Sequence, residues 1–126
     1  MLSAKDKAAD ARYRREYGIT LNQYLQVLKY QGGVCAICKR YPRPGKRLHV
    51  DHNHKTGELR GLLCWSCNRA IACFDDCAVK MREAAQYILN PPVRNAIGEM
   101  FTAPGKVGSK SRAKLLIKMK ASTHVN

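Results

Sequence analysis

Aromatic side chains are scarce in this 126-residue chain: two Phe, one Trp and six Tyr, 7% of the whole. With so few large apolar groups the core must be small, and short chains with small cores commonly need a staple such as a structural metal. Acids are also few, nine Asp and Glu against 23 Lys and Arg, which leaves a net charge of +14. No apolar run approaches the roughly 18 residues of a membrane span, so none is expected. The opening residues, MLSAKDKAADARYRREYG, contain no apolar signal core, so export is not expected either. Without export a disulfide framework loses its setting, and paired cysteines read better as metal ligands.

The basic excess is spread along the chain and is steepest after Pro92, where seven Lys and Arg face one acid, Glu99. A pI near 9.9 suits a polyanionic partner, because neutralising phosphates releases counterions whatever the base sequence. A merely soluble basic surface, or one that meets anionic lipid, is the plainer reading. No amphipathic anchor accompanies the charge, which favours nucleic acid.

What the chain does have is a stretch from Cys35 to Asn68 with two Cys-x-x-C pairs, Cys35/Cys38 and Cys64/Cys67, and 25 residues between the inner cysteines. A two-residue spacer lets both sulfurs of a turn converge on one ion, and four thiolates complete the tetrahedral sphere of structural zinc. Such a sphere leaves no position for water, so this zinc would hold shape without taking part in chemistry. Free core thiols or a redox pair are the competing readings. Cys73 and Cys77, spaced i, i+4, are expected to pack as small apolar residues on one helix.

Inside the interval lies Asp51-His52-Asn53-His54, and Asn68 directly follows the last thiolate. Magnesium takes hard oxygen ligands and keeps several waters. Asp51 and Asn68 can supply two oxygens, and a nearby histidine can accept a proton from water attacking phosphorus. Manganese would suit the same donors. Taken singly, each residue is more simply a solvated turn residue; their joint position between zinc knuckles is what points to a phosphodiesterase. Lys55, Arg60 and Arg69 are candidate phosphate contacts, though each alone reads equally as a solvated charge. His49 is expected as a strand-surface or phosphate-facing residue, not a catalytic one.

The expected fold class is α+β, mostly helical, with a zinc-stapled β-hairpin and helix (ββα-metal, HNH-like) core and flanking helices. Residues 3–17 are good helix formers that end at Gly18. Thr20 and Gln23 form a capping box for a second helix whose apolar face is Leu21, Tyr24, Leu25 and Leu28. Residues 47–51 alternate as a strand, His54 to Gly57 turn, and Glu58 to Leu63 return. Strict alternation would put Asp51 and His52 on opposite faces, so the backbone must bend or end there. A helix is expected from near Asn68, and another capped by Asp75 or Asp76 and stopped at Asn90-Pro91-Pro92. Residues 94–101 suggest a short helix, Pro104 to Ser109 a linker, and Ser111 to Ala121 a basic helix. The expected division is a nuclease domain over 1–92 and a basic extension over 93–126.

At Tyr17-Gly18-Ile19-Thr20, Gly32-Gly33-Val34-Cys35-Ala36-Ile37-Cys38, Val50-Asp51-His52-Asn53-His54, Arg60-Gly61-Leu62-Leu63-Cys64 and Cys67-Asn68 the chain resembles the recombination endonuclease VII family of phage nucleases, within the HNH group. The resemblance implies Asp51 and Asn68 as magnesium ligands, His52 as general base and His54 on the phosphate or assisting. It implies cleavage of branched DNA such as Holliday junctions by an intertwined homodimer, in the cytoplasm of a phage-infected bacterium. Some relatives carry an acidic residue in the helix after Asn68, where this chain has Arg69-Ala70-Ile71-Ala72 and no acid before Asp75. The rival readings are a zinc DNA-binding module without catalysis, a non-specific nicking HNH nuclease, and an interaction scaffold.

Overall fold

The computed structural model describes residues 1–99 and 101–104. The linker from Gly105 onward and the Ser111–Ala121 helix lie outside the described residues. Contacts group the chain into two compact units, Met1–Glu83 and Ala84–Asn126.

The first unit opens with α1, Ala4–Tyr17, where Ser3 accepts from the Asp6 N–H at the start and left-handed Gly18 closes the end. Helix α2, Leu21–Tyr30, begins with the full reciprocal capping box between Thr20 and Gln23. Asp10 on α1 ties the two helices together: one oxygen accepts from the Leu21 N–H at 2.8 Å, the other from Arg14 at 2.8 Å. Tyr13 and Tyr24 stack with ring centroids 4.8 Å apart, both 1% exposed. Tyr24 then donates its hydroxyl to the Leu48 carbonyl at 2.8 Å, so the aromatic pair also fixes the approach to the hairpin. Of the expected α2 face, Leu21 and Tyr24 are buried and Leu28 partly so, but Leu25 is 45% exposed. The buried stripe is narrower than the pattern suggested because a two-stranded hairpin covers only one edge of α2.

Strands β1, His49–His52, and β2, Leu59–Leu63, pair antiparallel. Leu48, Val50, Leu62 and Leu63 turn inward and join Tyr13, Leu21, Tyr24 and Cys35 in one core. Gln31, just past α2, acts as a surrogate strand along β2: its side chain accepts from the Leu62 N–H and donates to the Leu62 and Val34 carbonyls, each at 2.9 Å. Gly61 makes room for it, since a Cβ there would lie 3.1 Å from the Gln31 amide oxygen. An edge that would otherwise offer unpaired backbone groups is thereby satisfied.

Helix α3 runs Trp65–Cys73 and packs on both strands. It begins three residues before the expected start, because Cys64 caps it by accepting from the Cys67 N–H. Helix α4, Ala78–Leu89, follows a tight turn in which Asp75 and Asp76 both adopt left-handed φ. Neither aspartate caps it. The backbone N–H of Lys80, and that of Val79, point at the Cys77 sulfur and hold its thiol down. Cys73 is exposed at the end of α3 and Cys77 lies beyond the turn, so the two do not share a helix.

The second unit takes up the rest of α4 and α5, Pro92–Ile97, with Pro92 in the first turn and left-handed Gly98 at the end. The short helix thus lies two residues earlier than expected, where proline favours a helix start. Ile88, Leu89, Val93, Ile97 and Phe101 are all exposed. Among the described residues no helix is long and apolar enough to cross a membrane.

Candidate metal centre and catalytic hairpin

The two knuckles converge. The sulfurs of Cys35, Cys38, Cys64 and Cys67 lie within 4.8 Å of one another, and those of Cys38 and Cys64 are 3.8 Å apart. A zinc–sulfur bond of about 2.3 Å gives a tetrahedron with edges of about 3.8 Å, so the four residues fit the ion. Backbone geometry builds the cluster: the Cys35 N–H donates to the Arg40 carbonyl and the Lys39 N–H to the Cys35 carbonyl, with Lys39 left-handed at φ 60°. Ala36 donates to the Leu62 carbonyl and anchors the first knuckle on β2. Arg40 donates to the Cys38 sulfur and holds that thiol down to about 6, while burial pushes Cys67 up to about 12. Among the described residues this is the one group of three or more Cys, His or carboxylate donors within ligating reach.

The hairpin is irregular at Asp51 and His52. Val50 faces Leu62 and Asp51 faces Gly61, but His52 faces Leu59. Arg60 is therefore the extra residue of a β-bulge, which bends the strand where the chemistry is expected. Beyond it Asn53 accepts the Gly57 N–H on its carbonyl and the Lys55 and Thr56 N–H groups on its side chain, which closes the turn. His52 and His54 emerge together, ring centroids 4.9 Å apart. His52 is half-buried; His54, Lys55 and His49 are exposed.

The bulge also directs the Arg60 guanidinium onto Asp51. Its Nε and Nη2 fork the two Asp51 oxygens at 2.7 and 3.1 Å, and Nη2 reaches the His52 carbonyl at 3.2 Å. Asp51 is 5% exposed, and a polar group at that depth is costly to bury without such hydrogen bonds. On its other side Arg60 Nη1 lies 2.5 Å from Asp76 Oδ1, close enough for an ion pair but without donor alignment, so that oxygen has no true hydrogen bond. Arg60, opposed by burial and helped by the His54 N–H, holds the Asp76 carboxyl below the usual range. Asp51, and after it Asp76, pushes the guanidinium further up. The three charges line a hollow of about 280 Å³ together with Ala36, Ile71 and Met81.

Asn68 is half-buried on the first turn of α3, its N–H bonded to the Cys64 carbonyl, and α3 rests on β1. Asp51 and Asn68 offer the hard oxygens magnesium prefers. Arg60 takes one direction on each Asp51 oxygen, and a carboxylate oxygen has two. The donors suit the ion by type, with Arg60 as a competing cation. Arg69 stacks over Trp65 at 5.2 Å.

Sequence reasoning missed Asp76 as a member of this cluster. It was visible as an acid past α3, but only the left-handed turn at Asp75-Asp76 brings it back to the hairpin. Arg60 carried a signal too, since it is the one charge directly before the small Gly61 in β2.

The chain is 44% identical over 104 residues to the Gene 59 protein of Mycobacterium phage L5, a match that covers 82% of this chain and 63% of that protein. It is likewise 44% identical over 91 residues to the Gene 59 protein of Mycobacterium phage D29, covering 71% and 55%. The chain thus spans about three fifths of the length of these relatives. No solved structure matches it. The recombination endonuclease VII model matches residues 10–90, from the middle of α1 through both knuckles and α4, and the chain belongs to that family.

Proposed function

We propose that the protein is a magnesium-dependent DNA endonuclease with an HNH-like core, which hydrolyses phosphodiester bonds in branched DNA such as Holliday junctions. The observation that carries this is the bulged end of β1, which bears Asp51 and His52 with His54 two residues on, in a family member whose four cysteines fit one metal ion. Phage relatives support action inside an infected bacterial cell.

Asp51 and Asn68 would hold the magnesium, which when bound stabilises charge on the leaving oxygen. His52 accepts the proton of the attacking water, and His54, 4.9 Å away, donates to the phosphate. Lys55 and Arg69 are exposed cations that steer the backbone. Arg60 balances Asp51 while the metal is away. Exposed Ile88, Leu89, Val93, Ile97 and Phe101 are apolar surface of the kind a homodimer covers.

The test is a labelled four-way junction and a matched linear duplex, incubated with magnesium and with chelator. Junction cleavage that needs magnesium and falls about 100-fold or more in His52→Ala, with DNA binding kept, is the expected result. Equal cleavage of both DNAs removes junction selectivity and leaves a non-specific nicking enzyme. No cleavage under any divalent ion leaves a zinc DNA-binding module, a reading favoured by the Arg60 fork on both Asp51 oxygens.

A further inference from the structure

Trp65 is the sole tryptophan of the chain, and 60% of it is exposed. Tryptophan is usually among the most covered residues by area, and nothing in the local fold requires it here, since α3 buries no residue completely. The position is nevertheless rigid: Trp65 is the first helical residue after Cys64, and the helix is anchored at Cys64 and Cys67 by the knot. One side of the indole is occupied by Arg69, whose guanidinium carbon lies 5.2 Å from the ring centroid. Among the described residues Arg69 has no carboxylate partner, and α3 contains no acid. At 3.6 residues per turn, Trp65, Asn68 and Arg69 share one face of the helix.

We propose that Trp65, backed by Arg69, is a stacking platform for an unpaired nucleobase beside the cleavage position. This rests on the reading of DNA as the substrate. A flat, open π-face next to a free cation suits a base turned out of its stack, with the guanidinium on the neighbouring phosphate. A paired base in a duplex presents only its edge and cannot use the platform. Asn68 on the same face places the stacked base next to the residue proposed to hold the catalytic metal, so the platform would favour DNA with unpaired bases near the cut.

Because Trp65 is the only indole, the tryptophan emission of the full zinc-loaded chain, excited where tyrosine does not absorb, reports this site alone. In magnesium-free buffer, a 15-nucleotide single strand and the same strand in a blunt duplex are titrated separately. The expected result is strong quenching by the single strand and little by the duplex at equal occupancy, with occupancy read from the anisotropy of labelled DNA. Trp65→Ala is expected to lower the single-strand-over-duplex affinity ratio roughly tenfold, and Trp65→Phe to retain most of it. Equal quenching by the two DNAs, or an unchanged ratio in a Trp65→Ala variant that still holds zinc, overturns the proposal. Should Trp65→Ala lose zinc, the wild-type titration and Trp65→Phe decide it. Cleavage plays no part in these measurements, so absent nuclease activity would sink the proposed function and leave this result standing.

Discussion

The four-cysteine knot and the Asp51–Arg60–Asp76 ion cluster flank the same short hairpin and are built on opposite principles. The knot gathers four like donors at the open end of the strands, from two tight turns, and is complete once an ion replaces their protons. The ion cluster gathers unlike charges from β1, β2 and the turn after α3, and is complete without any ion. The knot has the donor set of a structural metal site; the ion cluster already pairs its charges within the protein. That difference separates a cluster that needs an ion to balance its donors from one that balances itself.

The sharpest way to break the comparison is to remove the metal from the knot. Structural zinc sites contribute on the order of 10 kcal/mol to folding. A strong chelator, or Cys64→Ser, is expected to abolish the cooperative thermal transition followed by circular dichroism, and persistence of that transition would show that the small core suffices alone. The ion cluster should respond far less. Arg60→Ala leaves the Asp51 carboxyl at 5% exposure without its partner, with an expected loss of about 2–4 kcal/mol in urea unfolding. Adding Asp51→Asn should recover most of it, and no recovery would mean that Arg60 acts through packing.

Gln31 sharpens the contrast from outside both sites. Gln31→Ala removes three hydrogen bonds to β2 and the knuckle approach, for an expected cost of about 1–3 kcal/mol by urea unfolding, with zinc content unchanged. Smallest is Asp76→Asn, which keeps the shape but weakens one side of the bridge. It is expected to cost less than Gln31→Ala and to leave the Arg60–Asp51 pair in place, as double-mutant cycles with Arg60→Ala would measure.

The knot was legible in the sequence because its information is local: two residues between cysteines decide where the sulfurs go. The capping box at Thr20 and Gln23 and the stop at Gly18 were legible for the same reason. The hairpin was legible as alternation, and the conflict at Asp51 and His52 correctly announced an irregularity. What alternation could not supply was the strand that carries the bulge, since either one could have absorbed the extra residue. Asp76 was hidden because its reach depends on two consecutive left-handed residues that no capping pattern signals. Leu25 was misread because helical spacing says which face is apolar, not how much partner surface exists to cover it.

The bulge at Arg60 also decides which changes in length the hairpin can absorb. Between Asn53 and Glu58 the chain is a turn closed on itself, and residues added there lengthen the tip without disturbing the pairing below it. Between Leu59 and Gly61 the count is fixed. Deleting Arg60 would bring His52 into regular register, straighten the strand and strip Asp51 of its counter-charge in a single step. Among relatives, insertions should therefore collect at the tip, while the interval from β2 to Cys64 keeps its length to the residue.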